Sequence, residues 1–352
     1  VIYLSKEPLE VAVMMKLSTM RRVVDTLDQN WASPIAENIL KNWKHDPNSA
    51  IYFRASANFV FRFTRDGKNH FLRFNSLAER KREEIEGEIE LLEFLNQQGS
   101  NIVKPVLSLN NRFIEEYATG EDTYLAVVFE ALEGKRYEIE ELKNEQFFLW
   151  GKALGKLHHQ LDKAPDSIKR KRKNWKTHLS FIREQVNPAN TSACRELERL
   201  EKWAEENHAP EGLIHFDFEL DNVHWHDKAL NILDFDDSAV YWYGADIAFA
   251  LRDLFGEGID NEHTSLTGDG IDMENPSFRR FMEGYSSQFR IDPNLYRDLP
   301  VFIRFHNLFF YARLSRSIDI VIDEDTPDWL SGLYHKLSSI NGRLQKSFDR
   351  II

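Results

Sequence analysis

The stretch His215-Phe216-Asp217-Phe218-Glu219-Leu220-Asp221-Asn222 sets a carboxylate and a carboxamide on one short loop in the spacing Asp-x-x-x-x-Asn. Eleven residues past Asn222 begins Leu233-Asp234-Phe235-Asp236, a second acidic cluster. Phosphoryl transfer needs little covalent help from a protein. It needs a carboxylate to orient the attacking hydroxyl and accept its proton, and oxygen ligands for a metal that neutralises the phosphates. Asp217 can face an acceptor while Asn222 turns back toward a metal, and a hairpin between them returns Asp234 as a second ligand. All three offer hard oxygen donors, the kind magnesium takes. A lone His-x-Asp carries little information; the loop, the hairpin and the Asp-Phe-Asp together carry much.

The elements around these residues read as two different halves. Ser33-Pro34 before IAENILKNW is a capped helix start with Pro at the first helical position. AIYFRASANFVFRFTRDGKNHFLRF reads as two or three strands, with FVFRF alternating and RDGKN supplying the turn. Glu83 to Leu95 carries Ile85, Ile89, Leu92 and Leu95 at helical spacing, and NIVKPVLSL and YLAVVFEAL read as strands. From about Gly134 helices dominate: QFFLWGKALGKLHHQL, then 192–207, 276–288 and 297–318. One strand pair interrupts them, NVHWH and LNILDF around Asp227-Lys228. The expected architecture is α+β, with a small antiparallel β-rich lobe over 1–132 that includes an N-terminal extension. A larger, mainly helical lobe over 133–352 carries the catalytic loop.

In order and flanking residues, LIHFDFELDNVHWHDKALNILDFDDSAVYWYGADIAFAL resembles the catalytic core of the aminoglycoside phosphotransferase and choline kinase-like family. GKALGKLHHQL is similar to the helix opening that family's C-terminal lobe, VVFEALEG to its hinge, ANFVFRF…HFLRF to its nucleotide-covering hairpin and FMEGYSSQF to its acceptor-side helices. The likeness covers roughly 50–320. It implies a bilobal protein-kinase-like fold with ATP and Mg2+ between the lobes, and an activity that moves the γ-phosphate to a hydroxyl of a small molecule. By the same resemblance Asp217 is the base, and Asn222 and Asp234 are the magnesium ligands. Arg73 reaches the ATP phosphates with Glu88, or Glu84 one turn earlier, as its helix partner. Phe129, Glu130, Ala131 and Leu132 line the adenine pocket through backbone groups. His215 and Asp246 hold the loop in shape. Two positions depart from the family pattern. Phe216 stands where Gly is usual, tolerable with ordinary backbone angles. The turn Arg54-Ala55-Ser56-Ala57-Asn58 lacks glycine, so Ser56 and the backbone near Asn58 would meet phosphate; the alternative reading of Ser56 is an ordinary turn residue.

Composition narrows the partners. A net charge of −12 argues against nucleic acid, which needs a basic face. Between Glu211 and Asn275 stand 16 Asp/Glu against 2 Lys/Arg, so all of the excess negative charge lies there and the rest of the chain is about neutral to slightly positive. That segment, with Asp253, Glu257, Asp260, Glu262, Asp269, Asp272 and Glu274, would suit a cationic acceptor: aminoglycoside-like, choline-like or homoserine-like. The run Lys169–Lys173 is expected to be a solvated charged face. His158-His159 and His224-x-His226 lack zinc-like partners and are expected to be satisfied or exposed. The single Cys194 excludes an internal disulfide and fits a reducing cytoplasm. The opening VIYLSKEPLEVAVMM is broken by charges and reads as neither signal peptide nor membrane span. Two other activities remain open on this fold. A protein Ser/Thr kinase would show Asp-Phe-Gly where Asp234-Phe235-Asp236 stands and an Ala-Pro-Glu after an activation segment, and neither is found there; a catalytically dead nucleotide binder has no need of all three polar residues.

Overall fold

The computed structural model describes residues 15–258, 266–290 and 292–351. The opening segment up to residue 14, and Asp260 and Glu262 of the acidic stretch, lie outside the described residues. The chain gathers into two compact units. One comprises the chain up to Ile89, Lys104–Ala131 and Arg313–Asn341; the other comprises Glu90–Val103, Leu132–Ala312 and Gly342–Ile352. A junction falls at Ala131/Leu132, beside the expected boundary, but the chain also passes between units within the helices at 82–97, 299–317 and 328–348.

The first unit opens with helices α1 (Leu17–Val24) and α2 (Pro34–Leu40) and strands β1 (Ile51–Ala55), β2 (Phe59–Arg65) and β3 (Lys68–Ser76). Helix α3 (Arg82–Gln97) and strands β4 (Pro105–Val106), β5 (Glu115–Ala118) and β6 (Thr123–Glu130) follow. The Ser33 hydroxyl accepts from the Ile35 N–H at 3.2 Å, and Pro34 follows it, so α2 begins where the cap predicts. The sheet is antiparallel in the order β1-β2-β3-β6-β4, with β5 also on β6. Alternation places Phe59, Phe61 and Phe63 of β2 inside. Phe74 stacks on Phe59 at 5.1 Å and on Phe61 at 5.7 Å, so one aromatic layer joins β2 to β3.

The second unit contains α4 (Asn144–Leu161), α5 (Asp166–Lys169), β7 (Lys173–Asn174), α6 (Trp175–Gln185), α7 (Thr191–Glu206) and β8 (Glu211–Ile214). The hairpin β9 (Val223–His226) and β10 (Ala229–Ile232) comes next, then β11 (Ala239–Trp242), α8 (Tyr243–Ala250), α9 (Pro276–Ser286) and α10 (Leu299–Ser317), whose end from Arg313 belongs to the first unit together with α11 (Asp328–Phe348) up to Asn341. Besides the expected strand pair, β7, β11 and β8 form a three-stranded sheet. Its strands of two to four residues are too short to show a periodic pattern. Helices α4 and α9 meet through glycines. A Cβ at Gly151 would stand 1.9 Å from the Phe281 carbonyl oxygen, and one at Gly155 2.4 Å from that of Tyr285. Any side chain at either position forces the helices apart. The aromatic stretch in α10 is core, with Leu308, Phe309, Phe310 and Tyr311 buried. Among the described residues no helix is long and apolar enough to cross a membrane.

Candidate active site

The loop from β8 to β9 is suspended from one buried carboxylate. Asp246, in the first turn of α8, accepts the His215 N–H at 2.8 Å and the Phe216 N–H at 2.6 Å. Its Oδ2 also meets His158 Nε2 at 2.9 Å, while His158 Nδ1 meets the Tyr285 hydroxyl at 2.8 Å. Both Asp246 and His158 are wholly buried, and every one of these contacts is internal. The His215 ring reaches on to the Leu233 carbonyl at 2.8 Å, tying the loop to the residue before Asp234. The scaffold roles read for His215 and Asp246 thus have a physical content: together they fix where residues 215–217 and 233 stand.

Phe216 does not have ordinary backbone angles. Its φ is +74°, the left-handed region that disfavours any side chain, most of all a bulky one. The strain persists because the ring is 3% exposed and packs against Tyr241 at 5.1 Å, Phe249 at 5.1 Å, His178 at 5.1 Å and Phe309 at 5.8 Å. Phe216→Gly relieves about 1–2 kcal/mol of backbone strain but forfeits roughly 3–5 kcal/mol of buried packing, so a net loss of stability is expected. Phe216→Ala loses the same packing and keeps the strain. Urea unfolding should therefore rank wild type above Gly and Gly above Ala; Ala above Gly would mean the backbone is not strained.

Beyond that bend Asn222 is bonded to Asp217, and the backbone before Asp234 is bonded to Asn222. Asn222 Nδ2 donates to the Asp217 Oδ2 at 2.8 Å and to the Asp217 carbonyl at 3.0 Å, which locks the carboxylate to its own loop. The Leu233 N–H donates to the Asn222 carbonyl at 2.9 Å, drawing β10's exit, and Asp234 after it, alongside. With its amide nitrogen so engaged, Asn222 keeps Oδ1 as an acceptor oxygen. That oxygen and the Asp234 carboxylate are a hard-donor set that fits a magnesium-like cation. Asp234 also sits at φ +56°.

Arg172 corrects the reading of the basic run. Lys169 and Arg170 end the short helix α5, but Arg172 is only 7% exposed. Its guanidinium donates to the backbone carbonyls of Ser238 at 2.9 Å and Phe235 at 3.0 Å, and also to that of Asp236. One cation thereby closes the loop that follows Asp234, where three acidic residues crowd together. Burial of the planar fork explains why Arg rather than Lys stands here.

A second pair was not anticipated. Glu219 binds Arg252 at 2.6 Å, and its carboxyl lies in hydrogen-bond reach of Asp217's. Burial and then the neighbouring Asp217 and Asp253 push the Glu219 carboxyl well above the usual range, with Arg252 opposing them. Arg136 also braces the loop, donating to the Asp221 carbonyl at 2.7 Å. The His224 ring lies by the Leu132 backbone, and burial lowers its basicity. His159 and His226 are exposed.

In the first unit Arg73 of β3 and Glu88 of α3 form a buried bidentate pair. Arg73 Nη1 to Glu88 Oε1 measures 2.9 Å, and Nη2 bonds Oε2. Glu84 instead lies near Arg80, at 3.8 Å. The Phe129 ring covers the Arg73 guanidinium at 4.9 Å. The N–H groups of Glu130 and Ala131 are spent on the Lys104 and Asn69 carbonyls. Ser56 stands in the β1–β2 turn, its N–H donating to the Asn58 carbonyl at 3.1 Å. Asp217, Asn222 and Asp234 therefore share one unit, together with Leu132, and Arg73, Glu88, Ser56, Phe129, Glu130 and Ala131 belong to the other.

Comparison with known proteins gives the family and the fold. The profile of the phosphotransferase enzyme family matches residues 52–274. Amicoumacin kinase of Bacillus subtilis (strain 168) is 24% identical over 313 residues, covering 85% of this chain and 89% of its own. Among solved structures, an amicoumacin kinase in complex with AMP-PNP, Ca2+ and Ami is similar with a TM-score of 0.72 at 19% identity, covering 90% of this chain and 92% of its own. A microcompartment-associated aminopropanol kinase gives 0.62 at 18% identity, over 90% and 97%. A spectinomycin phosphotransferase solved with ADP and spectinomycin gives 0.57 at 15% identity, over 89% and 98%. The fold is the α+β, protein-kinase-like one that the sequence predicts.

Proposed function

Because this chain belongs to the phosphotransferase enzyme family, we propose that it is an ATP-dependent kinase of a small molecule whose reacting hydroxyl accompanies an amino group. The observation that carries the reading is the Asn222–Asp217 side-chain bond within a loop hung from Asp246. It leaves one carboxylate fixed and half-buried beside Asn222. Asp217 takes the proton of the acceptor hydroxyl as the new P–O bond forms and ADP leaves. Asn222 and Asp234 would hold a divalent cation, magnesium by their oxygen chemistry, which when bound neutralises phosphate charge. Arg73, oriented by Glu88 and Phe129, would serve the phosphates.

The amine is argued from charge. Segment 211–275 concentrates the carboxylates of the chain, and a cationic acceptor gains from that field. The relatives' names point the same way, aminopropanol being an amino alcohol. The test is a coupled ADP-release screen over aminopropanol, amicoumacin, spectinomycin, choline, homoserine and uncharged sugars, with Mg2+ varied. Turnover is expected with amine-bearing alcohols, and Asp234→Ala should raise the Mg2+ needed for half-maximal rate by at least about tenfold. Equal turnover of uncharged sugars would remove the amine from the proposal. An unchanged Mg2+ requirement would remove Asp234 as a ligand.

A further inference from the structure

The first unit also holds a cavity of about 410 Å3 that uses none of the residues above. Trp31, Tyr52 and Trp329 line it, with Leu27 and the carboxylates Asp25 and Asp28. Its volume lies in the range of small-molecule sites. The Trp31 and Tyr52 rings stack with centroids 6.1 Å apart and planes 21° apart. The Trp329 indole N–H donates to Asp25 Oδ1 at 3.2 Å, which fixes the third ring against the end of α1.

Trp31 is costly where it stands. Its φ is +63°, yet 48% of the residue remains exposed. It is held there on both sides: its N–H donates to the Asp28 carbonyl at 3.0 Å, and the Tyr52 N–H donates to its carbonyl at 2.8 Å. Core packing does not account for a large ring presented to solvent at a strained angle.

Charge decides what the rings would meet. Asp25 is matched by Arg21 at 3.0 Å. Asp28 receives only the backbone N–H groups of Asn30 at 2.8 Å and Ala32 at 2.9 Å, so its negative charge has no side-chain cation among the described residues. Aromatic faces with one uncompensated carboxylate are the chemistry that recognises alkylated ammonium ions. An apolar molecule would use the rings and ignore Asp28; a hydrated inorganic cation would use Asp28 and ignore the rings.

We propose that this cavity is a second binding site, for an alkylammonium group, in which Trp31, Tyr52 and Trp329 supply the ring faces and Asp28 the counter-charge. It does not depend on the kinase reading.

The probe is tetramethylammonium chloride, which has no hydroxyl and so cannot be phosphorylated. It is titrated into the full chain without nucleotide at constant ionic strength, following tryptophan fluorescence and calorimetry. tert-Butanol serves as the uncharged near-isostere. Saturable binding is expected, with tert-butanol at least about tenfold weaker. Trp31→Ala and Asp28→Asn should each weaken tetramethylammonium by about tenfold or more, while ADP release with the acceptor found in the screen stays at the wild-type rate. Trp31→Phe, which keeps a ring, should fall between. No saturable signal up to about 100 mM, equal binding of the alcohol, or wild-type affinity in both variants would each overturn the proposal. Should Trp31→Ala fail to fold by circular dichroism, Asp28→Asn and Trp31→Phe decide alone.

Discussion

Asp217→Ala is expected to lower kcat by about 10²–10⁴-fold while nucleotide affinity stays within about twofold. The reason for the split is local. The carboxylate accepts from the Asn222 side chain at 2.8 Å, a contact within its own loop. Removing it takes the proton acceptor and leaves the arginine, the glutamate and the backbone groups proposed for ATP untouched. Glu219 is the rival for the base, since its carboxyl lies against Asp217's. The ion pair with Arg252 at 2.6 Å decides between them on geometry, because that Glu219 oxygen is already engaged by a cation. Glu219→Gln should therefore cost no more than about tenfold. Asp217→Asn, which retains the shape and a partner for Asn222, should be as inactive as Ala. Steady-state rates with an ADP-coupled assay and nucleotide binding by calorimetry separate these outcomes. Parallel loss of rate and nucleotide affinity in Asp217→Ala, or a larger loss in Glu219→Gln, would assign the base elsewhere.

Legibility followed range. Where the chemistry is written within a few residues, the sequence predicts it: the Ser33-Pro34 cap, the alternating Phe59, Phe61 and Phe63, the β9–β10 hairpin, and the loop that joins Asn222 to Asp217 five positions away. Arg172 was hidden because a buried cation and a solvated one look alike inside Lys169–Lys173. Only the fold reveals that three carbonyls more than sixty residues away receive it. The strain at Phe216 was hidden for a related reason, since φ there is imposed by Asp246 thirty residues on. Helix α11 is a different case. Leu330, Leu333, Leu337, Ile340 and Leu344, all buried, repeat at three and four residues, and that periodicity is enough to find it. What no local pattern gives is its place, since its first two turns and more belong with the N-terminal helices.

The same long-range dependence makes Asp246 the residue whose loss should cost the most stability. Its carboxylate receives two backbone N–H groups and the His158 ring, all in the interior. Asp246→Ala leaves those donors orphaned in a space no side chain refills. With each buried unpaired polar group costing about 1–3 kcal/mol, and loss of one partner of a buried ionic contact about 3–5 kcal/mol, a total near the latter range is expected. On thermal unfolding that corresponds to a fall on the order of 10 °C. Activity should fall with it at temperatures where the variant is still folded, because Phe216 and therefore Asp217 lose their anchor. Asp246→Asn retains one acceptor oxygen but turns an amide toward groups that are themselves donors. It should recover only part of the stability. His158→Ala removes one donor and leaves both backbone bonds, so it should destabilise less than Asp246→Ala and spare more of the rate. Equal unfolding midpoints for Asp246→Ala and wild type would show that the loop holds its shape by packing around Phe216 alone. The ordering of the two variants then separates suspension from packing: if His158→Ala is the more damaging, the histidine rather than the carboxylate is the keystone of this loop.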